Sequence, residues 1–175
     1  KTSLDKTVIN QYLKSLKELN IVEREVPVTE YNPLKSKMGI YKIVDNYFKF
    51  WFRFIFPNKS ELEENEVELV YEKKIMPYLS DYMGFIFEDI CIQFLKRLRR
   101  QGGLPFRFSK IGRWWHGAEE VDILAYDEEN ILYAECKWQN RTFSMKELQR
   151  LKEKSKRINQ GKWRNEYFAL FSKSD

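Results

Sequence analysis

The sequence predicts a mixed fold of helices and strands, of the α/β or, with antiparallel strands, the α+β class. Apolar residues recur at helical spacing near the N-terminus and again from residue 81 onward. Residues 120–126 and 131–138 are β-branched, aromatic or otherwise apolar, as strands are. From Asp81 the predicted order is helix, three strands, helix, strand. The 175 residues suffice for one domain with a small additional one.

Composition narrows the classes of partner and site. The net charge of +5 favours a polyanionic partner, although a high content of charged residues is also typical of thermophilic proteins. His116 is the single histidine, so with two cysteines a zinc site is not expected, and Cys91 and Cys136 are predicted to be buried free thiols. No apolar run reaches membrane-spanning length and no signal peptide precedes the first helix, so we expect a cytoplasmic protein. The chain begins at Lys1 without a methionine, which indicates a fragment of a longer protein.

Residues 1–44 combine one predicted helix with a pair of strands. Ser3 or Asp5 caps the helix, and strands are predicted at 21–29 and 39–44. The phrase TVINQYLKSLKELNIVEREVPV resembles the recognition helix and the following strand of a winged helix-turn-helix, whose preceding helices are absent here. The segment is therefore expected to be a partial winged helix that contacts DNA or, alternatively, docks to another protein.

Residues 45–80 are predicted to be a helical connector. Asp45 begins an aromatic helix, DNYFKFWFRFIF, that ends at Pro57. Its aromatic side chains lie all around the helix, so we expect it to be buried. The polar and acidic stretch 58–65 is the most linker-like part of the chain, and a further helix is predicted over 66–78.

The domain at 81–175 begins with a helix that Asp81 is predicted to cap and that ends before Gly102. Glu88 lies at the border of the inner apolar stripe of this helix, whereas Asp89 points away from it. Glu88 is therefore the carboxylate of this helix that can reach the sheet. The alternative is an ordinary boundary residue that pairs with a lysine.

A strand is predicted over 104–111 and a loop over 112–118, with the sequence GRWWHGA. In this loop Trp114 is suited to stacking on nucleic-acid bases and Arg113 to holding a phosphate. The alternative is that the aromatic residues of the loop pack as a lid.

A hairpin is predicted around the turn at 127–130. It pairs Tyr126 with Ile131 and places Asp122 opposite Glu135. Directly opposed side chains lie about 5 Å apart, and two carboxylates at that distance repel by roughly 3 kcal/mol at an effective dielectric constant of about 20. A divalent cation would offset this repulsion, and oxygen ligands suit Mg²⁺. The alternative is that water screens both carboxylates.

The pleat of the hairpin determines which neighbouring residues lie on the same face as these carboxylates. Because side chains alternate along a strand, Lys137 is predicted on the same face as Glu135, and Cys136 is predicted on the opposite face. The face that carries the carboxylates is otherwise mostly apolar, and its charged groups gather at one end.

The last predicted elements are a helix and a strand. Ser144 and Glu147 form a capping box for a helix to about residue 158, and a strand closes the chain over 165–171. The outer surface of this helix is strongly basic and is either a nucleic-acid contact or an ordinary solvated surface. The candidate nucleic-acid contacts on it are Lys146, Arg150, Lys154 and Arg157.

The candidate residues form a recognisable pattern. Asp122 followed by Glu135-x-Lys137, with Glu88 on a preceding helix, resembles the motif of the PD-(D/E)XK superfamily of restriction-endonuclease-like nucleases. The order helix-strand-strand-strand-helix-strand is similar to the core of that superfamily. Nearly the whole chain resembles the C-terminal region of an archaeal P-loop ATPase family, in which a winged helix precedes a nuclease-like domain. The phrases that carry this likeness are DNYFKFWFRFIFP, GFIFED, EVDILAY and AECKW.

The resemblance implies catalytic roles for Glu88, Asp122, Glu135 and Lys137. It places Mg²⁺, or Mn²⁺, on Asp122, Glu135 and the carbonyl of Cys136, with Lys137 orienting water or stabilising charge on the phosphate. The glycine-rich phosphate-binding loop of ATPases does not occur in this sequence. The resemblance implies that an ATPase domain lies upstream in the same polypeptide. The expected function is DNA binding with magnesium-dependent phosphodiester cleavage. The alternative is a catalytically silent module that binds DNA or protein and regulates the ATPase.

Overall fold

The computed structural model describes residues 5–173 and divides the chain into two compact units. The first unit consists of Lys1–Glu25 and Gly39–Tyr78, and the second of Val26–Met38 and Leu79–Asp175. Helices and strands both contribute, as the predicted α+β class requires. Within the described range, no helix combines the length and the apolar character needed to cross a bilayer.

The first unit opens with the predicted helix and strand pair. Helix α1 spans Lys6–Glu18, and its cap Asp5 accepts the Thr7 N–H at 2.7 Å. Ser3, the other predicted cap, lies outside the described residues. The two strands pair antiparallel and are β1 (Val22–Glu25) and β2 (Ile40–Ile43). The structure thus contains the helix and the strand pair predicted for residues 1–44.

The aromatic helical segment is longer than predicted. Asp45 caps it and accepts the Tyr47 N–H at 2.7 Å. The segment consists of α2 (Asn46–Phe50), a π-helical turn (Trp51–Ile55), a 3-10 turn (Phe56–Asn58) and α3 (Lys59–Glu63). The prediction of a linker over 58–65 is therefore wrong. The buried Asn58 side chain donates to the Phe54 carbonyl at 2.8 Å, which continues the helical path into α3.

The expectation that the aromatic residues of this segment are buried is wrong for three of them. Phe54 is 2% exposed, whereas Tyr47, Phe52 and Phe56 are 66%, 48% and 59% exposed. Because aromatic side chains surround the helix, packing on one side leaves the others in solvent. Neighbouring rings contact one another along the exposed surface, as Phe48 and Phe52 do.

The helix before the sheet begins earlier than predicted. Three helical segments follow one another without a break: α4 (Val67–Val70), a π-helical turn (Tyr71–Ile75) and α5 (Met76–Gln101). Asp81 therefore lies inside α5 and does not cap it, contrary to the prediction. Pro77 is the second residue of α5, directly after the π-helical turn, and it does not end the helix. Gly102, at φ 72° in the left-handed region, follows the last residue of α5, as predicted.

The second unit contains a four-stranded sheet in the order β3-β4-β5-β6. The first three strands are antiparallel neighbours, and β6 runs parallel to β5 after a crossover through α6. Ser144 and Glu147 form the predicted capping box of α6. The elements are β3 (Lys110–His116), β4 (Glu119–Tyr126), β5 (Asn130–Lys137), α6 (Met145–Asn159) and β6 (Asn165–Ser172).

Strand β3 lies later in the chain than predicted. Residues 104–109 are irregular, although Phe108 packs in the core. The predicted loop over 112–118 supplies most of β3, and a turn with Gly117 at φ 61° joins it to β4. Pairing with β4 satisfies the backbone of this aromatic stretch, and Trp114 lies opposite Val121.

A helix covers each face of the sheet. On one face, α5 packs through Cys91 and Leu95 against strand residues that include Ile123, and we name this cluster the α5-side core. On the other face, α6 packs through Leu151 against residues that include Tyr133, and we name this cluster the α6-side core. The sheet is therefore the middle one of three layers.

Truncation of Leu95 tests the α5-side core. Leu95 is 2% exposed, so Leu95→Ala should lower the free energy of unfolding by about 2–5 kcal/mol through lost burial and a residual cavity. Ile90 lies on the same helix and is 48% exposed, so Ile90→Ala should cost less than about 1 kcal/mol. Chemical denaturation measures both variants. Equal losses would contradict this assignment of the inner face of α5.

Candidate acidic site in the central strands

A β-bulge interrupts β4 at residues 122–123. Gly112 of β3 lies opposite Leu124, but after the register shift Trp114 lies opposite Val121, so β4 carries one extra residue. Strict alternation would place Val121 and Leu124 on opposite faces, yet both pack in the α6-side core. The alternation that predicted one face for the acidic residues and the lysine therefore fails at this point, and bulges of this kind redirect side chains.

The hairpin of β4 and β5 has the predicted register. Tyr126 lies opposite Ile131, and the pairing continues to Ile123 opposite Ala134. Beyond that pair, a side chain joins the two strands, because Asp122 Oδ2 accepts the Cys136 N–H at 2.7 Å. Asp122 is thus tied to β5 beside Glu135, and we name Asp122 and Glu135 the acid pair.

The surroundings of the acid pair strongly raise the pKa of Asp122. Burial and, next in size, the nearby charge of Glu135 raise the pKa of Asp122 to about 7, and Glu88 adds to the rise. The Cys136 N–H and the Lys154 ammonium oppose it. The structure therefore brings three of the predicted acidic residues, Glu88, Asp122 and Glu135, within electrostatic reach of one another. Near neutral pH, Asp122 attracts a proton or another cation.

Glu135 is engaged by a cation from α6. The Lys154 ammonium donates to Glu135 Oε1 at 2.7 Å and to the Glu120 carbonyl at 2.8 Å. Both side chains of this ion pair are largely buried, with 27% of Lys154 and 18% of Glu135 exposed. Lys154, predicted as a nucleic-acid contact, therefore reaches back to the acid pair. The sequence alone gave no signal for this contact between residues 19 positions apart.

Glu88 is engaged by Arg113. The guanidinium donates from Nε to Glu88 Oε2 at 2.6 Å and from Nη2 to Asp89 Oδ1 at 2.8 Å. Asp89, expected to point away from the sheet, therefore faces β3 together with Glu88. Burial raises the pKa of Glu88, and Arg113 opposes the rise. Arg113, predicted to hold a phosphate, lies on β3 and is 17% exposed, and Trp114 packs half-buried at the α6-side core.

The Lys137 ammonium is held at the start of α6. It donates to Glu147 Oε1 at 2.6 Å and lies over the Phe143 ring at 5.6 Å from the ring centre. The hydrogen bond from Lys137 is the main reason why the pKa of Glu147 is lowered, and the Ser144 N–H and Arg141 add to the effect. Glu147 thus combines its capping role with an ion pair to the predicted catalytic lysine.

The donor set of the acid pair suits Mg²⁺ or Mn²⁺. Within residues 5–173 no three His, Cys, Asp or Glu side chains are grouped to hold a metal ion. Mg²⁺, however, is commonly bound by only one or two carboxylates, with water and phosphate oxygens completing its shell. Because the N–H and C=O of a strand residue point to the same neighbouring strand, the Cys136 carbonyl is expected on the Asp122 side. The Cys136 thiol is buried beside the Cys91 thiol. The hydrogen bond with Cys91 and burial raise the pKa of the Cys136 thiol, so this thiol is not expected to be a metal ligand.

The remaining basic candidates lie on the outer surface of α6. Lys146 and Arg150 are exposed, and neither forms an ion pair within the described part of the chain. Arg157 is 62% exposed and binds Glu119 at 2.8 Å. Of the four predicted contacts on α6, Lys146 and Arg150 are therefore the two that are exposed and not paired with a carboxylate.

Comparison with known proteins relates the chain to archaeal and bacterial sequences. A profile of a family described as archaeal and bacterial proteins of unknown function matches residues 51–158. An uncharacterized protein of Methanocaldococcus jannaschii, MJECL04, is 38% identical over 169 residues. That alignment covers 94% of this chain and 37% of the relative, so the chain spans little more than a third of the relative's length. No solved structure matches the chain.

The acid pair predicts a specific dependence of stability on pH. The pKa of Asp122 is about 7 in the folded state against 3.8 for a free group, so the folded state binds the extra proton between these values and stability falls as pH rises through them. Asp122→Asn cannot ionise and should gain stability relative to the wild type, by the order of 3 kcal/mol, between pH 4 and pH 8. Denaturation in a chelator measures this difference.

A matched control for this experiment is Glu153→Gln, which removes an exposed carboxylate from α6. The stability difference between Glu153→Gln and the wild type should stay nearly constant over the same pH range. If the Asp122→Asn difference is equally flat, the raised pKa of Asp122 is refuted.

Proposed function

This chain belongs to the DUF234 family of archaeal and bacterial proteins, and we propose that residues 81–175 bind DNA and hydrolyse its phosphodiester bonds with a divalent cation. The observation that carries the proposal is the acid pair, in which burial and Glu135 raise the pKa of Asp122 to about 7. Two crowded carboxylates on adjacent central strands form a site that a divalent cation stabilises.

The proposal assigns a role to each residue around the acid pair. Asp122, Glu135 and the Cys136 carbonyl would hold Mg²⁺ or Mn²⁺. When bound, the cation lowers the pKa of an attacking water and stabilises charge on the phosphate. Glu88 assists from α5, supported by its ion pair with Arg113. Lys137 supplies a positive charge to the phosphate once it leaves Glu147, to which it is now bound at 2.6 Å.

DNA binding is proposed along the basic surface of α6. Lys146 and Arg150 are accessible cations there, and Lys154 connects the same helix to Glu135. Phosphate contacts from such a helix position a strand without reading its sequence. Because MJECL04 extends well beyond the aligned region, we also propose that a P-loop ATPase domain in the same polypeptide is a partner of this domain.

A second candidate function is a catalytically silent module that binds DNA or protein. The specific observation in its favour is that protein cations already neutralise the carboxylates. Lys154 binds Glu135 at 2.7 Å, and Arg113 binds Glu88 at 2.6 Å. Lys137 is occupied by Glu147 in the same way. In this function the acid pair has a structural role and the basic surface of α6 carries the activity.

Removal of one carboxylate distinguishes the two candidates. In Mg²⁺ or Mn²⁺, the wild type should cleave DNA, and Asp122→Asn or Glu135→Gln should reduce the rate by about 100-fold or more because the cation loses a ligand. Single-stranded, duplex and branched DNA are compared in one assay. Glu128→Gln, in the turn between β4 and β5, removes an acid outside the site and should cleave normally. Binding of DNA without cleavage by any of the proteins supports the silent module.

The salt dependence of DNA binding tests the basic surface of α6. Each cation that contacts a phosphate releases about one counterion, so Lys146→Gln with Arg150→Gln should reduce the slope of log K against log salt concentration by about 2. Fluorescence anisotropy at several salt concentrations measures the slope. Lys73→Gln with Lys74→Gln removes the same charge from exposed residues of the π-helical turn before α5 and serves as the control for this surface. An unchanged slope in the α6 variant places the DNA contact elsewhere.

A further inference from the structure

A pocket of about 470 Å³ lies where α5 ends and β3 begins. Four basic side chains line it, three from the end of the helix and one from the first residue of the strand. No acidic side chain lines it. We name it the basic pocket, and its cations are Lys96, Arg99, Arg100 and Lys110.

These four cations lack a counter-charge within the described part of the chain. No ion pair there involves any of them, whereas Arg113, Lys137 and Lys154 are each bound to carboxylates. Like charges gathered around one pocket repel one another, so an anion from outside the chain would stabilise the arrangement. The basic pocket thus gathers positive charge, whereas the acid pair gathers negative charge.

Arg99 provides more specific evidence for an anion in the pocket. Its guanidinium lies over the Phe108 ring at 5.2 Å from the ring centre, and Phe108 is 2% exposed, so a rigid ring supports it. The Nε of Arg99 is buried without a hydrogen-bond acceptor among residues 5–173. Buried donors are almost always paired, whereas this N–H lacks an acceptor that the described chain does not supply. The planar fork of arginine matches the geometry of phosphate oxygens.

Attraction to the negative end of α5 does not account for the cluster. Cations near a helix C-terminus are favoured by the helix dipole, and this applies to Arg99 and Arg100. It does not apply to Lys110, which β3 contributes. The end of the helix is also closed by backbone bonds, since the N–H groups of Gly102 and Gly103 donate to the carbonyls of residues 99 and 98. Attraction to the end of the helix therefore leaves the presence of Lys110 in the cluster unexplained.

We propose that the basic pocket binds phosphate groups, carried either by a free nucleotide or by a nucleic-acid strand. Its volume of about 470 Å³ exceeds the needs of a single phosphate and lies within the range of about 300–1,000 Å³ that is typical of small-molecule sites. The pocket lies at the end of α5, whereas the proposed DNA contacts lie on α6, which covers the opposite face of the sheet. Phosphate binding in the basic pocket does not depend on catalytic activity at the acid pair.

Calorimetric titration of the full chain with pyrophosphate, in a chelator, tests the proposal. Lys96→Gln with Lys110→Gln should raise the Kd by about tenfold or more. Both side chains are exposed, so this variant should fold normally. The control is Arg97→Gln with Arg107→Gln, which removes the same charge from exposed residues outside the pocket and should change the Kd by less than about twofold.

Competition identifies the source of the phosphate. If an oligothymidylate of about eight nucleotides without a terminal phosphate displaces pyrophosphate, the pocket takes strand phosphates. If ATP displaces it and the oligothymidylate does not, the pocket takes a nucleotide. Equal weakening in the pocket variant and the control variant would overturn the proposal, as would a wild type that binds none of the three. Because no divalent cation is present, the result does not depend on cleavage at the acid pair.

Discussion

Two half-buried carboxylates held side by side on neighbouring strands are the main electrostatic constraint on the central sheet of the second unit. Asp122 and Glu135 repel each other, by roughly 3 kcal/mol if they lie about 5 Å apart at an effective dielectric constant of about 20. The chain holds them together with the Cys136 N–H, which binds Asp122, and with Lys154, which binds Glu135. The bulge in β4 and the position of α6 therefore both serve the same pair of side chains.

This constraint also separates the two proposed functions. A proton on Asp122, the ammonium of Lys154 and a divalent cation all relieve the same repulsion, so they compete for the acid pair. If the cation prevails, the site has the ligands and the charge of a phosphodiester-cleaving centre. If Lys154 prevails, the acid pair is a structural element that holds α6 against the sheet. The relative affinity of these two cations for Glu135 decides between the functions.

The elements that depend on local sequence were predictable, and those that depend on distant contacts were not. The register of the hairpin follows from its symmetrical turn, so the pairing of Tyr126 with Ile131 was predicted correctly. The bulge in β4 and the late start of β3 depend on pairing between strands, which periodicity does not show. The bridge from Arg113 to Glu88 joins residues 25 positions apart, so sequence spacing left the roles of both residues open. The continuous path into α5 depends on π-helical turns, which have no simple sequence pattern.

Titration of the isotopically labelled protein with Mn²⁺, followed by the broadening of its backbone amide signals, tests the central claim most directly. If the acid pair attracts a divalent cation, the amide signals of Glu135 and Cys136 broaden first in the wild type and persist in Asp122→Asn. If these signals persist in the wild type while those of exposed acidic residues such as Glu128 broaden, Asp122 and Glu135 do not form a cation site, and the account given for them is contradicted.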